Sequence, residues 1–275
     1  MRVLMICPEL PSADVPGSMA PAARQIESLR QLGLEIDIVD MRGIPKLKYL
    51  QVMPKVRRLA GEDDLIHAHF GFFGWLARLS PMLLRGKPPL VVSFIGDDLL
   101  GTPRNVEGDL EWFSKVMVRA NRVLAHKVDQ VIVKSRELAN VVAPAPSTVI
   151  PNGVDLDAFK PMDQRDARRQ LNLRPERKTV LFPGNPNDPR KGHRLASAAV
   201  DVASSQLHEP IDLVPLWGVD PRQVAVYMNA CDMMVMTSLI EGSPNVVKEA
   251  MACNIPIVGV PVGDVSEMLD GVDGC

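Results

Sequence analysis

The stretch Glu241–Val258, EGSPNVVKEAMACNIPIV, reads as a loop, a helix and a strand in succession. Gly242, Ser243 and Pro244 form the loop, and Pro244 suits the first helical turn, where a missing N–H costs nothing. Asn245 to Cys253 is expected to be helical and Ile255 to Val260 to be a buried strand. A strand reached through a helix is the building unit of a parallel sheet. The same stretch sets two carboxylates, Glu241 and Glu249, eight positions apart, one in the loop and one two turns into the helix. A helix N-terminus offers free N–H groups and a partial positive charge, so it suits a phosphate. Carboxylates on either side of a phosphate suit sugar hydroxyls, and a nucleotide sugar carries both kinds of group. A capped helix bearing two solvated glutamates is the plainer reading of the same residues.

Outward from this stretch the alternation continues. In the first half, strands are expected at Val3–Cys7, Leu34–Val39, Leu65–Ala68, Leu90–Phe94 and Val131–Lys134. Helices are expected at Met19–Leu32, from about Phe72 to Leu84, and at Leu110–His126. The strands are short, β-branched and nearly continuous in apolar character, as in a parallel sheet buried on both faces. Thr148–Asp155, TVIPNGVD, runs from a strand into Pro-Asn-Gly, a strong turn signal. A polar stretch follows, and a new alternation opens at Thr179–Phe182. The expected fold class is therefore α/β, with two doubly wound Rossmann-like domains, 1–155 and 156–275, facing a cleft.

Composition sets bounds. The chain has 275 residues, 46% hydrophobic and 23% charged, with a net charge of −2. That suits one large or two ordinary folded domains, and gives no global field to attract nucleic acid. Cys7, Cys231, Cys253 and Cys275 have neither metal nor redox spacing and read as reduced thiols, three of them buried. No apolar run reaches the length of a membrane span, and MRVLMICPEL is too short in its apolar part for a signal peptide. The expectation is a cytoplasmic protein, with peripheral contact to the inner face of an anionic membrane open. Two basic stretches carry that contact: KLKYLQVMPKVRRL at Lys46–Leu59, and the helix bearing Lys115, Arg119, Arg122 and Lys127. Ordinary solvated helix faces would look the same.

With these residues in view, EGSPNVVKEAMACNIPIV resembles the Glu-x7-Glu signature of the family 4 glycosyltransferases, retaining GT-B enzymes that use nucleotide-sugar donors and need no metal. Four further stretches are similar to the family in the same order. They are DLIHAHF at Asp64–Phe70 with Gly71 after it, Val131–Ser135 with VIPNGVDLDAF at Val149–Phe159, LFPGNPNDPRKG at Leu181–Gly192, and ACDMMVMTS at Ala230–Ser238. VVSFIGDD at Val91–Asp98 matches the family's fourth strand and its exit.

The resemblance implies roles. Lys191, before Gly192, matches the lysine that meets the donor diphosphate, and the resemblance puts Glu241 at the donor sugar and Glu249 on the ribose hydroxyls. Asn245, Val246 and Val247 would offer helix-terminus contacts to the phosphates. Asn185 stands where the family often has an arginine, and Arg190 is the neighbouring cation able to replace it. Gly17 and Ser18 lie in a loop that in the family faces the diphosphate and acceptor, although a plain turn glycine fits equally. Ile95 occupies a position where many members carry histidine. Asp97 and Asp98 either bind sugar hydroxyls or cap the following segment. Asn254 replaces a common glycine and can stop the helix in a left-handed conformation. His67 and His69 share a strand face and read as structural or substrate-facing rather than as metal ligands, and His193 as a solvated helix start.

Relative to the family pattern, the second domain is expected to be C-terminally truncated, and Ala198–Val219 has room for one strand. The implied activity is retaining transfer of a sugar from a nucleotide diphosphate sugar to a saccharide or lipid-linked acceptor, in cell-envelope or exopolysaccharide synthesis. The alternatives are a non-catalytic or inactive nucleotide-sugar-binding remnant, and a GT-B nucleotide-sugar epimerase.

Overall fold

A computed structural model of the chain describes residues 1–12, 17–42, 48–80, 88–105 and 107–275. The chain forms two compact units. One comprises Met1–Thr102 and Trp112–Asn152, the other Pro103–Glu111 and Gly153–Cys275.

The first unit is built on β1 (Arg2–Cys7), β2 (Glu35–Asp40), β3 (Leu65–His69), β4 (Leu90–Ser93), β5 (Gln130–Val133) and β6 (Thr148–Val149). They form one sheet in the order β2-β1-β3-β4-β5-β6, every described pairing parallel. Leu4, Met5 and Ile6 of β1 are fully buried, as expected of a central strand covered by helices on both faces. The strand order reverses between β1 and β3, which places the switch point of a doubly wound sheet at their C-terminal ends.

The second unit holds β7 (Lys178–Phe182), β8 (Ile211–Pro215), β9 (Met233–Met236) and β10 (Ile257–Gly259) in the order β10-β9-β7-β8, again parallel. β8 is the single strand expected between Ala198 and Val219. Each unit has its own apolar core. Leu4, Ile66, Val92 and Val133 belong to the first, and Leu181, Met234, Val247 and Ile257 to the second.

Several boundaries differ from expectation for local reasons. The helix expected from Phe72 to Leu84 spans Gly71–Leu79, and residues 81–84 lie outside the described residues. The strand expected at Ile255–Val260 shortens to β10. It lies at an edge of its sheet, so Ile257 is buried while Val258 is 53% exposed. Pro244 sits one residue before the helix Asn245–Ala252, in an extended conformation, rather than within its first turn. Asn254 adopts the left-handed conformation (φ 56°), and Ile255 N donates to Ala250 O, closing that helix as a glycine would.

Candidate functional site

Three loops of the second unit meet beyond the C-terminal ends of β7, β9 and β10, the edge of a parallel sheet where ligands bind in open α/β folds. The loop after β7 carries Pro183 to Asp188, a tight turn at Pro189–Lys191, and Gly192, which opens the helix His193–Leu207. Gly192 has φ +66°, and a Cβ there would lie 2.1 Å from Thr237 O. Only glycine fits that approach. Thr237, just after β9, donates its Oγ1 hydrogen towards Lys191 O and Gly192 O, both at 3.0 Å, and Leu239 N donates to Arg190 O. These bonds tie the first two loops together. The third joins through Gly263 (φ +57°), whose Cβ would meet Gly242 O at 2.8 Å and Glu241 O at 2.9 Å.

This packing sets Lys191 against Glu241. The lysine stem crosses Gly184, where a Cβ would lie 2.9 Å from Lys191 Cγ. Its Nζ then donates to Glu241 Oε1 at 2.6 Å. The two side chains are 29% and 19% exposed, so the pair is sheltered but reachable. An ammonium has three N–H groups, and this contact uses one.

The helix Asn245–Ala252 begins next to this pair in sequence. Among the described residues no side chain caps its N-terminus, and Asn245 Oδ1 is buried without a hydrogen-bond partner. An orphaned acceptor beside free helix N–H groups suits a ligand that brings both a donor and an anion. Glu249, two turns in, is 9% exposed, and Val246 is half-buried.

Asn185 and Arg190 lie in the same loop as Lys191 and have partners within it. Asn185 Oδ1 accepts from Asn187 N at 3.0 Å, so its amide oxygen shapes the loop. Arg190 is turned onto Asp188, donating from Nη2 to Oδ2 at 2.8 Å and from Nε to both oxygens. Burial pushes the Asp188 carboxyl up, but the hydrogen bonds and charge of Arg190 outweigh it and hold the group below its usual value. His193 is not simply solvated, since its ring meets Phe182 edge-on with centroids 5.0 Å apart. In the first unit, Gly17 is an exposed turn glycine outside the left-handed region, with nothing within 4 Å of where a Cβ would be. Residues 13–16 of its loop lie outside the described residues.

Asp98 is a structural carboxylate. It is 3% exposed and accepts from Gly71 N, Ile95 N and Gly96 N at 3.0–3.1 Å. Burial still raises it to about 6, against the lowering effect of those bonds. His67 and His69 are buried and stacked, 4.6 Å between centroids, and His67 Nε2 lies 2.8 Å from Ser93 Oγ. Among the described residues no cluster of His, Cys, Asp or Glu has the makings of a metal site.

A polar chain near the helix has no counterpart in the sequence expectations. Lys248 Nζ donates to Ser243 Oγ, which donates to Asp264 Oδ2, both at 2.6 Å. Burial lowers the Lys248 ammonium, and the carboxylates of Asp264 and Glu249 draw it partly back. Asp264 comes from the turn after β10, 21 positions from Ser243. Helical spacing from Glu249 gives no hint of this partner.

Residues 8–158 match the family described as Glycosyltransferase Family 4, and residues 203–275 match Glycosyl transferases group 1. The chain is 31% identical to D-inositol 3-phosphate glycosyltransferase 2 of Catenulispora acidiphila, over 78% of this chain and 58% of that protein. It is 26% identical to the putative teichuronic acid biosynthesis glycosyltransferase TuaC of Bacillus subtilis, over 98% and 83%. The chain thus spans 50–58% of the length of the inositol phosphate glycosyltransferases it matches. Sucrose-phosphate synthase from Thermosynechococcus elongatus has a similar fold, with a TM-score of 0.74 at 18% identity over 98% of this chain and 84% of that one. Anabaena HepE in complex with UDP and glucose gives 0.66 at 21% identity, over 98% and 83%. These neighbours identify the two parallel sheets as the GT-B fold.

Proposed function

The chain belongs to glycosyltransferase family 4, and from that membership we propose that it transfers a sugar, with retention, from a nucleoside diphosphate sugar to a saccharide or lipid-linked acceptor. A role in cell-envelope or exopolysaccharide synthesis follows the likeness to TuaC. The observation that carries the reading is the Lys191–Glu241 pair, beside a helix start that lacks a capping side chain.

In this reading no metal is needed, and the leaving diphosphate is met by Lys191 and by the N–H groups at Asn245 and Val246. Both are fixed before the reaction, so they stabilise charge as it develops without reorganising. Glu241 pairs with the Lys191 ammonium until the diphosphate takes it, and then turns to the donor sugar. Glu249 receives the ribose hydroxyls. Asn185 and Arg190 support the loop, with Asp188 keeping the guanidinium oriented. HepE bound to UDP and UDP-glucose is a fold neighbour in keeping with such a donor.

The test is calorimetric titration of the chain with nucleoside diphosphates and their sugars. Lys191→Ala and Glu249→Ala should each weaken the preferred donor by ten- to a hundredfold, about 1.5–3 kcal/mol for a lost charged hydrogen bond. Donor affinity unchanged in both variants would sink the assignment. One observation favours a non-catalytic nucleotide-sugar binder as second reading: Arg190 is engaged by Asp188, so Lys191 is left to neutralise the diphosphate with helix N–H groups. Donor binding without turnover on any acceptor would select that reading.

A further inference from the structure

The solvent face of the helix Trp112–Ala125 has a composition that folding alone does not explain. Its inner face is ordinary: Asn121, Leu124 and Ala125 are buried, and Asn121 Nδ2 donates to Asp98 O at 2.8 Å. Outside, Trp112 is 75% exposed, Phe113 55%, Val116 47% and Val123 48%. At about 100° per residue, Trp112, Val116 and Val123 fall on one line, with Phe113 beside it. Lys115, Arg119 and Arg122, all exposed, fall together along the flank of that line. No acidic residue lies between Trp112 and Lys127, in a chain whose net charge is −2. A solvated helix face ordinarily mixes both signs of charge and leaves no row of aromatic and β-branched side chains in water.

We propose that this face docks on an anionic lipid bilayer, with Trp112, Phe113, Val116 and Val123 entering the headgroup region and Lys115, Arg119 and Arg122 meeting lipid phosphates. Tryptophan at one end of an apolar stripe, with cations alongside, is the arrangement an interfacial helix needs. Each cation near such a surface is worth about fivefold in partitioning, and the contribution is screened by salt. The second basic stretch is less suited. Lys55 of the helix Lys48–Leu59 donates to Ile38 O, and residues 43–47 lie outside the described residues. Docking by the helix Trp112–Ala125 would hold the enzyme where a lipid-linked acceptor is found, but the inference stands on surface chemistry alone and needs no catalysis to test.

The experiment is co-sedimentation of the full chain with vesicles of phosphatidylcholine, alone or with a third phosphatidylglycerol, together with Trp emission. Binding is expected to the anionic vesicles, to fall at least tenfold from low to high salt, and to blue-shift the emission. Arg119→Glu with Arg122→Glu should weaken it at least tenfold, and Trp112→Ser with Phe113→Ser should abolish it, both with unchanged circular dichroism. Equal binding by wild type and either pair of variants would overturn the proposal, as would failure to bind anionic vesicles. A blue shift that follows protein concentration without vesicles would overturn it too, by showing that a second copy covers the face. Donor binding, measured separately by calorimetry, is untouched by any of these outcomes.

Discussion

Lys191 shows how much of a site rests on residues that never touch a ligand. Its ammonium reaches Glu241 because Gly184 lets the stem pass and Gly192 lets the turn press against Thr237. Gly192→Ala would force a left-handed alanine and a collision 2.1 Å from a backbone oxygen. The expected loss is about 2–4 kcal/mol in urea unfolding. Gly17→Ala, with open space and no left-handed backbone, should stay within about 0.5 kcal/mol or stabilise slightly. Equal effects at the two positions would contradict the packing described. Glu241→Gln keeps the shape and removes the charge that competes for Lys191. Binding of a bare nucleoside diphosphate should therefore hold or tighten while any turnover falls. A tenfold loss of diphosphate affinity in Glu241→Gln would show that the carboxylate positions Lys191 rather than merely occupying it.

At the scale of the element, β3 carries a charge problem solved by neutrality. Burial pushes His67 down to about 4, with the nearby Lys134 charge adding to the effect, and pushes His69 well below its ordinary value. Both rings are therefore neutral in the folded state at pH 7, while the unfolded chain takes up protons near pH 6.5. For these two rings the unfolded state binds more protons below that pH, so their contribution to stability is full above about 6.5 and is lost as pH falls towards 4, while Asp98, raised to about 6, takes up its proton in the folded state over the same range and opposes them. His67 alone accounts for about 3 kcal/mol over that window. Urea unfolding of the wild type and His67→Gln from pH 7.5 to 4 checks this: the variant should gain stability relative to the wild type as pH falls. A difference between the two proteins that does not change with pH would mean that the His67 ring is accessible and charged. The same strand shows what sequence could reveal. Leu65, Ile66 and Ala68 announce a buried parallel strand, and the spacing of His67 and His69 announces a shared face. Their burial depends on β4 and on Ser93, which no local pattern encodes. β10 failed in the opposite direction, because an apolar run does not say whether its strand is central or at an edge. Ser243 and Asp264 likewise meet only because the turn after β10 folds back over the signature loop.

For the whole molecule, two cores imply two separately readable stabilities. Alternating apolar strands and helices made both parallel sheets legible, and the Pro-Asn-Gly at 151–153 marks the change of unit. The grouping of Pro103–Glu111 with the second unit was not legible, since nothing local in PRNVEGDLE distinguishes it from a surface loop. Multi-unit chains depart from two-state unfolding, and a ligand stabilises whatever body binds it. The three tryptophans allow the units to be followed apart. Trp75 and Trp112 lie in the first and Trp217 in the second. A protein retaining only Trp217, made by Trp75→Phe and Trp112→Phe, should report a transition that rises by roughly 10 °C at a hundredfold excess of nucleoside diphosphate over Kd. A protein retaining only Trp75 should report a transition that moves by much less, because the converging loops belong wholly to the second unit. Equal shifts with both probes would mean that the nucleotide binds across the units or that the chain unfolds as one body. A shift confined to Trp75 would place the anion site in the first unit and remove Lys191 from it.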